Sequence, residues 1–342
     1  MISDKFYMLR AMELAKNGIG HVSPNPLVGC VIVYEGKIIG EGWHGKYGEA
    51  HAEVNAVNAV ADKSILNGAA VYVNLEPCAH TGKTPPCADL LVKHKVKRVV
   101  IANVDPNPLV AGKGIAKLKD AGVEVLTGVL EEAGRELNKR FFTFLKHKRP
   151  FVILKWAQTS DGFIARENFD SKWISNEYSR KLVHKWRTEE DSILVGYNTA
   201  LYDNPKLTAR DWTGRNPVRI VIDPKLNLDP RLHLLDGTSL TICYNTLRQD
   251  NKGNVVYHLL DQKHLFQDML SDLFNRNIQS LLVEGGAQTI KNLLTDNVWD
   301  EARVFTSGQR FESGIKAPII NQEAIGSEMI GDDELSTYFN NN

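Results

Sequence analysis

The segment His51-Ala52-Glu53, taken with Glu76-Pro77-Cys78 and Cys87, constrains this chain more than any other stretch. One imidazole and two thiolates are ligands of the kind zinc takes, and three protein ligands leave a fourth position open for water. A glutamate beside such a metal can carry protons. Bringing these side chains to one point restricts the fold. Each helical residue is turned about 100° from the last, so His51 and Glu53 point roughly 200° apart in mid-helix. They share a site only at a first helical turn, which the preceding Gly48-Glu49 loop permits. Alanines and valines from 52 to 60 predict the helix that follows, packed on a sheet. Cys78 follows the apolar run 71–75, which reads as a buried strand. Cys87 opens a further helix through Leu90, Leu91 and His94, whose unpaired backbone N–H groups favour a thiolate there. A structural zinc takes four protein ligands. His80 is the nearest further candidate and is read as facing substrate, while Glu76 is read as pinning its loop by accepting backbone hydrogen bonds.

The rest of the first half alternates β and α patterns. Leu9, Met12 and Ala15 recur at helical spacing until Gly18 and Gly20. A hairpin is predicted from strands 28–34 and 37–43, turned at Glu35-Gly36. Strand 98–102, helix 113–121, strand 123–126 and one long amphipathic helix over 131–146 follow. This order predicts an α/β/α sandwich with a largely parallel sheet. The basic segment 146–149, closed by Pro150, is a helix stop and a linker, and 342 residues are ample for two cores. The domains are therefore 1–147 and 148–342.

In the second half, strand 151–157 and a tight turn at 159–162 lead to a loop holding 171–174. Helix 176–189, strand 192–196 and a loop over 197–210 come next, then strands 219–222, 240–243 and 255–258. Helix 263–275 precedes strand 280–283, which Glu284-Gly285-Gly286 breaks before another helix. Strand, Gly-Gly and helix form a phosphate-binding arrangement, because backbone amides approach an anion closely where no side chain intervenes. The Gly-x-Gly-x-x-Gly fingerprint is absent, so an ordinary Rossmann site is not predicted.

Charge narrows the partners. Lysines and arginines number 41, and so do aspartates and glutamates, giving no net charge to draw the chain to nucleic acid or anionic membrane. The first twenty residues lack the long apolar run and cleavage site of a secretory signal, and no stretch reaches the length of a membrane span. The expectation is a soluble, cytoplasmic protein. Its four cysteines are too few for a disulfide framework. Cys30 and Cys243 lie in apolar, strand-like runs and read as buried thiols.

His-x-Glu followed by Pro-Cys and a second cysteine is the signature of zinc deaminases, which usually read Cys-x-x-Cys. Here the segment reads CAHTGKTPPC. This wide spacing, with Pro-Pro before the second cysteine, resembles the bifunctional riboflavin-biosynthesis deaminase/reductase family, and the similarity covers nearly the whole chain. The resemblance implies an α/β chain with a cytidine-deaminase-like sandwich first and a dihydrofolate-reductase-like α/β domain second. It also implies zinc and NADPH as cofactors and a homo-oligomer. The implied substrates are small phosphoribosylaminopyrimidines: a ring amino group is hydrolysed to a carbonyl, and the ribosyl group is then reduced to ribityl.

Carried over residue by residue, the resemblance makes His51, Cys78 and Cys87 metal ligands and Glu53 the acid/base. Asn25, His80, Lys83 and Thr84 then surround the first substrate. Ala157, Trp173, Thr199, Asp203 and the run Gly286, Ala287, Gln288, Thr289, Ile290, Lys291 and Asn292 match positions that meet NADPH. Ser171, Arg187, Leu207, Arg210 and Glu284 match positions that meet the sugar phosphate. Arg187 and Arg210 could grip it through forked, charge-assisted hydrogen bonds. Pro224 departs from the family, where a serine commonly stands and donates to the cofactor. A tRNA-adenosine-type deaminase with an accessory domain shares the metal motif. It predicts a basic surface, Cys-x-x-Cys spacing and no nucleotide-binding second domain, none of which this sequence has. A non-enzymatic sensor or scaffold predicts loss of Glu53 or a ligand, and all four residues are present.

Overall fold

Side chains on successive strand residues point to opposite faces of a sheet, and the first half of the chain uses both faces. The computed structural model describes residues 3–79, 85–108, 110–171 and 174–340. They fall into two compact units, Met1–Lys148 and Arg149–Asn342. The first unit begins with α1 (Asp4–Ala15), β1 (Gly29–Tyr34), β2 (Lys37–Trp43), α2 (Ala52–Ala59) and β3 (Ala70–Leu75). It continues with α3 (Cys87–Lys93), β4 (Arg98–Asn103), α4 (Lys113–Asp120), β5 (Glu124–Thr127), α5 (Glu131–Leu137) and α6 (Lys139–His147). Cys30 and Ile32 of β1 join Val99 and Ile101 of β4 in one core with α2, α3 and α4. Val31, Val33, Val100 and Ala102 face the other way, against α1 and Leu137 of α5. The result is the expected sandwich.

The sheet order among the described residues is β2-β1-β3-β4-β5. It is more mixed than the expected, largely parallel sheet. β1 runs antiparallel to both β2 and β3, while β3, β4 and β5 are parallel. The tight Glu35-Gly36 turn, with φ of 49° and 76°, can only reverse the chain. The crossovers through α3 and α4 supply the parallel pairs. Glycines set the distance of α2 from the sheet: a Cβ on Gly42 would lie 2.3 Å from the Ala56 nitrogen, and one on Gly40 2.5 Å from the Ala56 oxygen. Helix α2 therefore lies directly on β2, which fixes the height of its first turn.

The long helix expected over 131–146 is two helices. Asn138, at φ −106° and ψ 22°, separates α5 from α6. Its buried amide accepts from the Leu27 N–H at 2.8 Å and donates to the Leu27 carbonyl at 2.9 Å. Asn74 donates to the same carbonyl at 2.8 Å and accepts from Gly29 N–H at 2.7 Å. The two amides hold the chain between the Asn25 loop and β1, and helical continuity at 138 is given up for that contact.

The second unit begins with β6 (Phe151–Thr159), β7 (Phe163–Ala165), α7 (Glu177–Glu189), β8 (Ser192–Gly196) and α8 (Tyr197–Asp203). β9 (Val218–Ile222), β10 (Thr241–Asn245), β11 (Asp250–Lys252), β12 (Val255–Leu259), α9 (Leu265–Asn275) and β13 (Ser280–Val283) follow. It ends with α10 (Ala287–Thr295), β14 (Glu301–Ser307), β15 (Ile315–Lys316), β16 (Gly326–Ile330) and β17 (Asp333–Phe339). Among the described residues a ten-stranded sheet runs β11-β12-β10-β9-β8-β13-β6-β14-β17-β16. Its centre is parallel, and β11, β17 and β16 are antiparallel additions at the two edges. Residues 197–203, expected within a loop, are helical; Asn204, left-handed at φ 41°, ends the helix before Pro205. Strand β14 is buried on both faces although it carries two charges, because Arg303 Nε donates to Glu301 Oε1 at 2.6 Å within the strand. No helix among the described residues is long and apolar enough to cross a membrane.

Candidate active sites

His51 is the N-cap of α2, in an extended conformation at φ −72° and ψ 162°. Its ring therefore leaves the helix axis, while Glu53 sits in the first turn, 3% exposed. Spacing alone demanded this convergence. His51 Nδ1 lies 3.3 Å from Cys87 Sγ and 3.6 Å from Cys78 Sγ, and the three ligand atoms all fall within 4.8 Å of one another. Zinc sits about 2.0–2.1 Å from nitrogen and about 2.3 Å from sulfur, so a tetrahedral N···S edge spans about 3.6 Å. The donor set fits zinc in type and in spacing. Among the described residues the group has three members, which leaves one position of a tetrahedron to a small ligand.

The electrostatics divide the two thiols. The thiolate form of Cys78 is favoured, its pKa lowered by the hydrogen bond from the Cys87 thiol and then by that to His51. Cys87, sharing that proton, is pushed up by Cys78 and by burial. The backbone N–H at the start of α3 donates 3.3 Å to Cys78 Sγ, so the helix terminus serves Cys78 rather than the Cys87 sulfur. Burial, and then the Cys78 charge, raise Glu53 to about 7. Glu76 behaves as its loop position suggests: its two oxygens accept from the backbone N–H groups of Asp105, Gly112, Gly114 and Ile115 at 2.9–3.3 Å. Asn25 Nδ2 lies 3.1 Å from His44 Nε2, and His44 Nδ1 lies 3.1 Å from the Ala50 carbonyl. A carbonyl only accepts, so Nδ1 carries the hydrogen and Nε2 accepts from Asn25. The His44 ring stands 5.5 Å from that of His51, which places Asn25 at the metal group's side. His80, Lys83 and Thr84 lie outside the described residues.

In the second unit a cleft of about 1000 Å³ opens beside Gly196, Ala157 and Glu284. Ala157, Thr199, Asp203, Gly286, Ala287, Gln288, Thr289, Ile290 and Asn292 line it, as do Ser171, Arg187, Arg210 and Glu284. Leu207 is instead 2% exposed in the core against β8 and β9, and Lys291 lies on the exposed side of α10; neither lines the cleft. Trp173 lies outside the described residues. Gly285 and Gly286 have φ of 138° and 80°, and a Cβ on either would come within 3.2–3.3 Å of the Thr199 or Thr289 hydroxyl. This bare backbone ahead of α10 fits the phosphates of a dinucleotide.

Arg187 is not a free phosphate fork. Its Nε and one terminal nitrogen donate to the two Glu284 oxygens at 2.7 and 2.8 Å, and the other terminal nitrogen donates to the Thr208 carbonyl at 3.0 Å. Burial alone would raise the Glu284 carboxyl, but the Arg187 charge outweighs it and holds the group below its ordinary value. Arg210 remains more open, with a 59% exposed side chain near Asp211. Reasoning from the sequence missed Lys155, a cleft-lining ammonium lowered by burial and partly sustained by Glu284. The signal was there: Lys155 is the lone charge in the apolar run FVILKWA. Pro224 lines the cleft and uses its carbonyl to accept from Thr246.

Comparison with known proteins agrees with this division. Residues 1–103 match the cytidine and deoxycytidylate deaminase zinc-binding region, and residues 150–308 match the RibD C-terminal domain. The riboflavin biosynthesis protein RibD of Aquifex aeolicus is 42% identical over 91% of this chain and 89% of its own length. That of Bacillus amyloliquefaciens is 43% identical over 88% and 84%. The crystal structure of a diaminohydroxyphosphoribosylaminopyrimidine deaminase/5-amino-6-(5-phosphoribosylamino)uracil reductase from Thermotoga maritima superposes with a TM-score of 0.90 at 38% identity, covering 98% of this chain and 97% of that one. With both family models, relatives above 40% identity and a shared full-length fold, the chain belongs to the bifunctional riboflavin-biosynthesis deaminase/reductase family.

Proposed function

We propose that residues 1–147 hydrolyse the 2-amino group of 2,5-diamino-6-(5-phosphoribosylamino)pyrimidin-4(3H)-one. Residues 148–342 then reduce the product, 5-amino-6-(5-phosphoribosylamino)uracil, with NADPH to the ribitylamino compound. The observation that carries the first half is the His51, Cys78 and Cys87 triangle with Glu53 buried beside it. A nucleic-acid deaminase is disfavoured by the balanced charge and by the second domain.

His51, Cys78 and Cys87 would hold zinc, which would supply Lewis-acid chemistry and lower the pKa of a water beside it towards neutrality. Glu53 takes one proton from water and passes it to the ring nitrogen as C2 becomes tetrahedral. It then takes the proton of the new C2 hydroxyl and gives it to the departing amine as the C–N bond breaks. One molecule of water enters, ammonia leaves, and the carbon ends as a carbonyl. Asn25, held by His44, is a substrate contact, and the family resemblance gives His80, Lys83 and Thr84 the same role. NADPH bound in the second domain would supply hydride to the sugar carbon that bears the ring amine, while that carbon's bond to the ribose ring oxygen breaks and the oxygen takes a proton from solvent. The Gly285-Gly286 backbone, Thr199, Asp203 and the start of α10 bind the dinucleotide. Ser171, Arg210 and the Arg187–Glu284 pair orient the sugar phosphate.

Purified full-length protein with bound zinc, given the diaminopyrimidine and NADPH, is expected to release ammonia and then oxidise NADPH in equal amounts. Ammonia without NADPH oxidation would leave the second assignment unsupported; neither product would remove both. The enzyme is further read as a cytoplasmic homo-oligomer. In support, edge strand β16 is open to solvent and exposes Met329, 63% accessible, beside Ile325 at 59%. Sedimentation velocity checks this: a species of monomer mass at micromolar concentration contradicts it.

A further inference from the structure

Two aromatic rings in the second unit have no part in the reading above. Phe169 and Tyr202 both line the cleft and lie face to face, with centroids 4.4 Å apart and planes 3° from parallel. That spacing admits no third ring between them. Tyr202 is in the last turn of α8, and Phe169 belongs to segment 166–171, which follows β7. The φ of Phe169 is +67°, in the left-handed region where a bulky side chain is strained and glycine is favoured. Strain of that kind persists only where the surroundings hold it. Tyr202 is 51% exposed, so the pair is not a core contact.

The segment is a closed unit with two anchors. Arg166 N–H donates to the Asp170 carbonyl at 2.9 Å, and Phe169 N–H donates to the Arg166 carbonyl at 2.9 Å. Asp170 N–H donates to Asn168 Oδ1 at 3.0 Å. At one end the Arg166 guanidinium lies 4.1 Å over the Phe311 ring. At the other, Ser171 Oγ donates to Asp203 Oδ2 at 3.3 Å. Asp203 is the neighbour of Tyr202 on α8, so the apolar stack and the polar bond join the same two elements side by side.

We propose that the Phe169–Tyr202 stack is a clasp that holds segment 166–171 against α8 and thereby positions Ser171 and Asp203 in the cleft wall. Both aromatics are positioning residues for the reductase reaction. This rests on the reading of the cleft as the reductase site. With the stack gone, the 3.3 Å hydrogen bond between Ser171 and Asp203 loses the apolar contact beside it, and the segment leaves its strained conformation.

The test uses the full-length enzyme and the variants Tyr202→Ala, Phe169→Gly, the double variant and Tyr202→Phe. An aromatic pair of this kind corresponds to about a 3- to 10-fold effect on binding. The two single variants are expected to raise the KM for NADPH or for the deaminated substrate by that factor, with kcat changed less and ammonia release unchanged. The double variant is expected to be no worse than either single one, and Tyr202→Phe, which keeps the ring, to restore the wild-type KM. A second readout needs no cofactor: trypsin should cut after Arg166 faster in Tyr202→Ala than in wild type. Unchanged KM and unchanged cleavage overturn the clasp, as does Tyr202→Phe behaving like Tyr202→Ala. If the wild-type enzyme itself fails to oxidise NADPH, the reductase reading fails, and the proteolysis comparison still decides whether the stack holds the segment.

Discussion

Replacing Glu53 with glutamine is expected to lower the turnover number for ammonia release by about 10²–10⁴-fold, the range that positioned acid/base groups contribute. NADPH oxidation with pre-deaminated substrate is expected to stay at the wild-type rate. The geometry makes the substitution selective. Glu53 is buried in the first turn of α2, and glutamine keeps its volume there. It is not one of the three residues whose ligand atoms converge, so the zinc content should be unchanged. What glutamine cannot do is take a proton from water and return it to the ring and the amine. Ammonia assay, metal analysis and NADPH oxidation on one preparation decide the matter. Wild-type turnover would remove Glu53 from the mechanism. Loss of zinc would make it structural, and loss of both activities together would mean that the two sites are not independent.

The convergence of the metal group was legible because chemistry and helical periodicity act on the same few residues. Zinc limits the ligand types, and the two-residue step from His51 to Glu53 is compatible only with a helix start. The strands themselves were legible for a similar reason, since unbroken apolar runs such as those of β1 and β4 are local patterns. What could not be read depends on partners distant in sequence. The break at Asn138 follows from its bonds to Leu27, 111 residues earlier, which no helical pattern reveals. Arg187 looked like a helix-terminal arginine free to bind phosphate until Glu284, 97 residues on, took two of its donors. Strand β14 was hidden because Glu301 and Arg303 neutralise each other inside a buried strand. Helix α8 was hidden by the turn-forming Asp203-Asn204-Pro205 at its end, which made the whole segment read as a loop.

The Arg187–Glu284 pair carries the second large effect. Glu284→Ala is expected to destabilise the second unit by about 3–5 kcal/mol, because removing one member of a buried ion pair strands the other charge. The side chains of Arg187 and Glu284 are only 11% and 6% exposed, so water can do little to compensate, and Lys155 loses the anion that sustains its charge. Of the six tryptophans only Trp43 lies in the first unit, so urea unfolding followed by fluorescence reports mainly on the second. Reduction is expected to fall by at least about 10- to 100-fold, the value of a hydrogen bond to a charged group, while ammonia release continues. The pH dependence has a definite sign. The folded-state pKa of Glu284 lies below the ordinary value of 4.5, held there by Arg187 against the opposing effect of burial. Its ionised form therefore contributes stability that is fully present above about 4.5 and is lost as pH falls through the folded-state value. The stability difference between wild type and Glu284→Ala should be constant near neutrality and shrink in acid, over the range where wild type stays folded. A difference that grows on acidification, or one below about 1 kcal/mol at pH 7, would mean that the pair is solvated and does not organise the cleft.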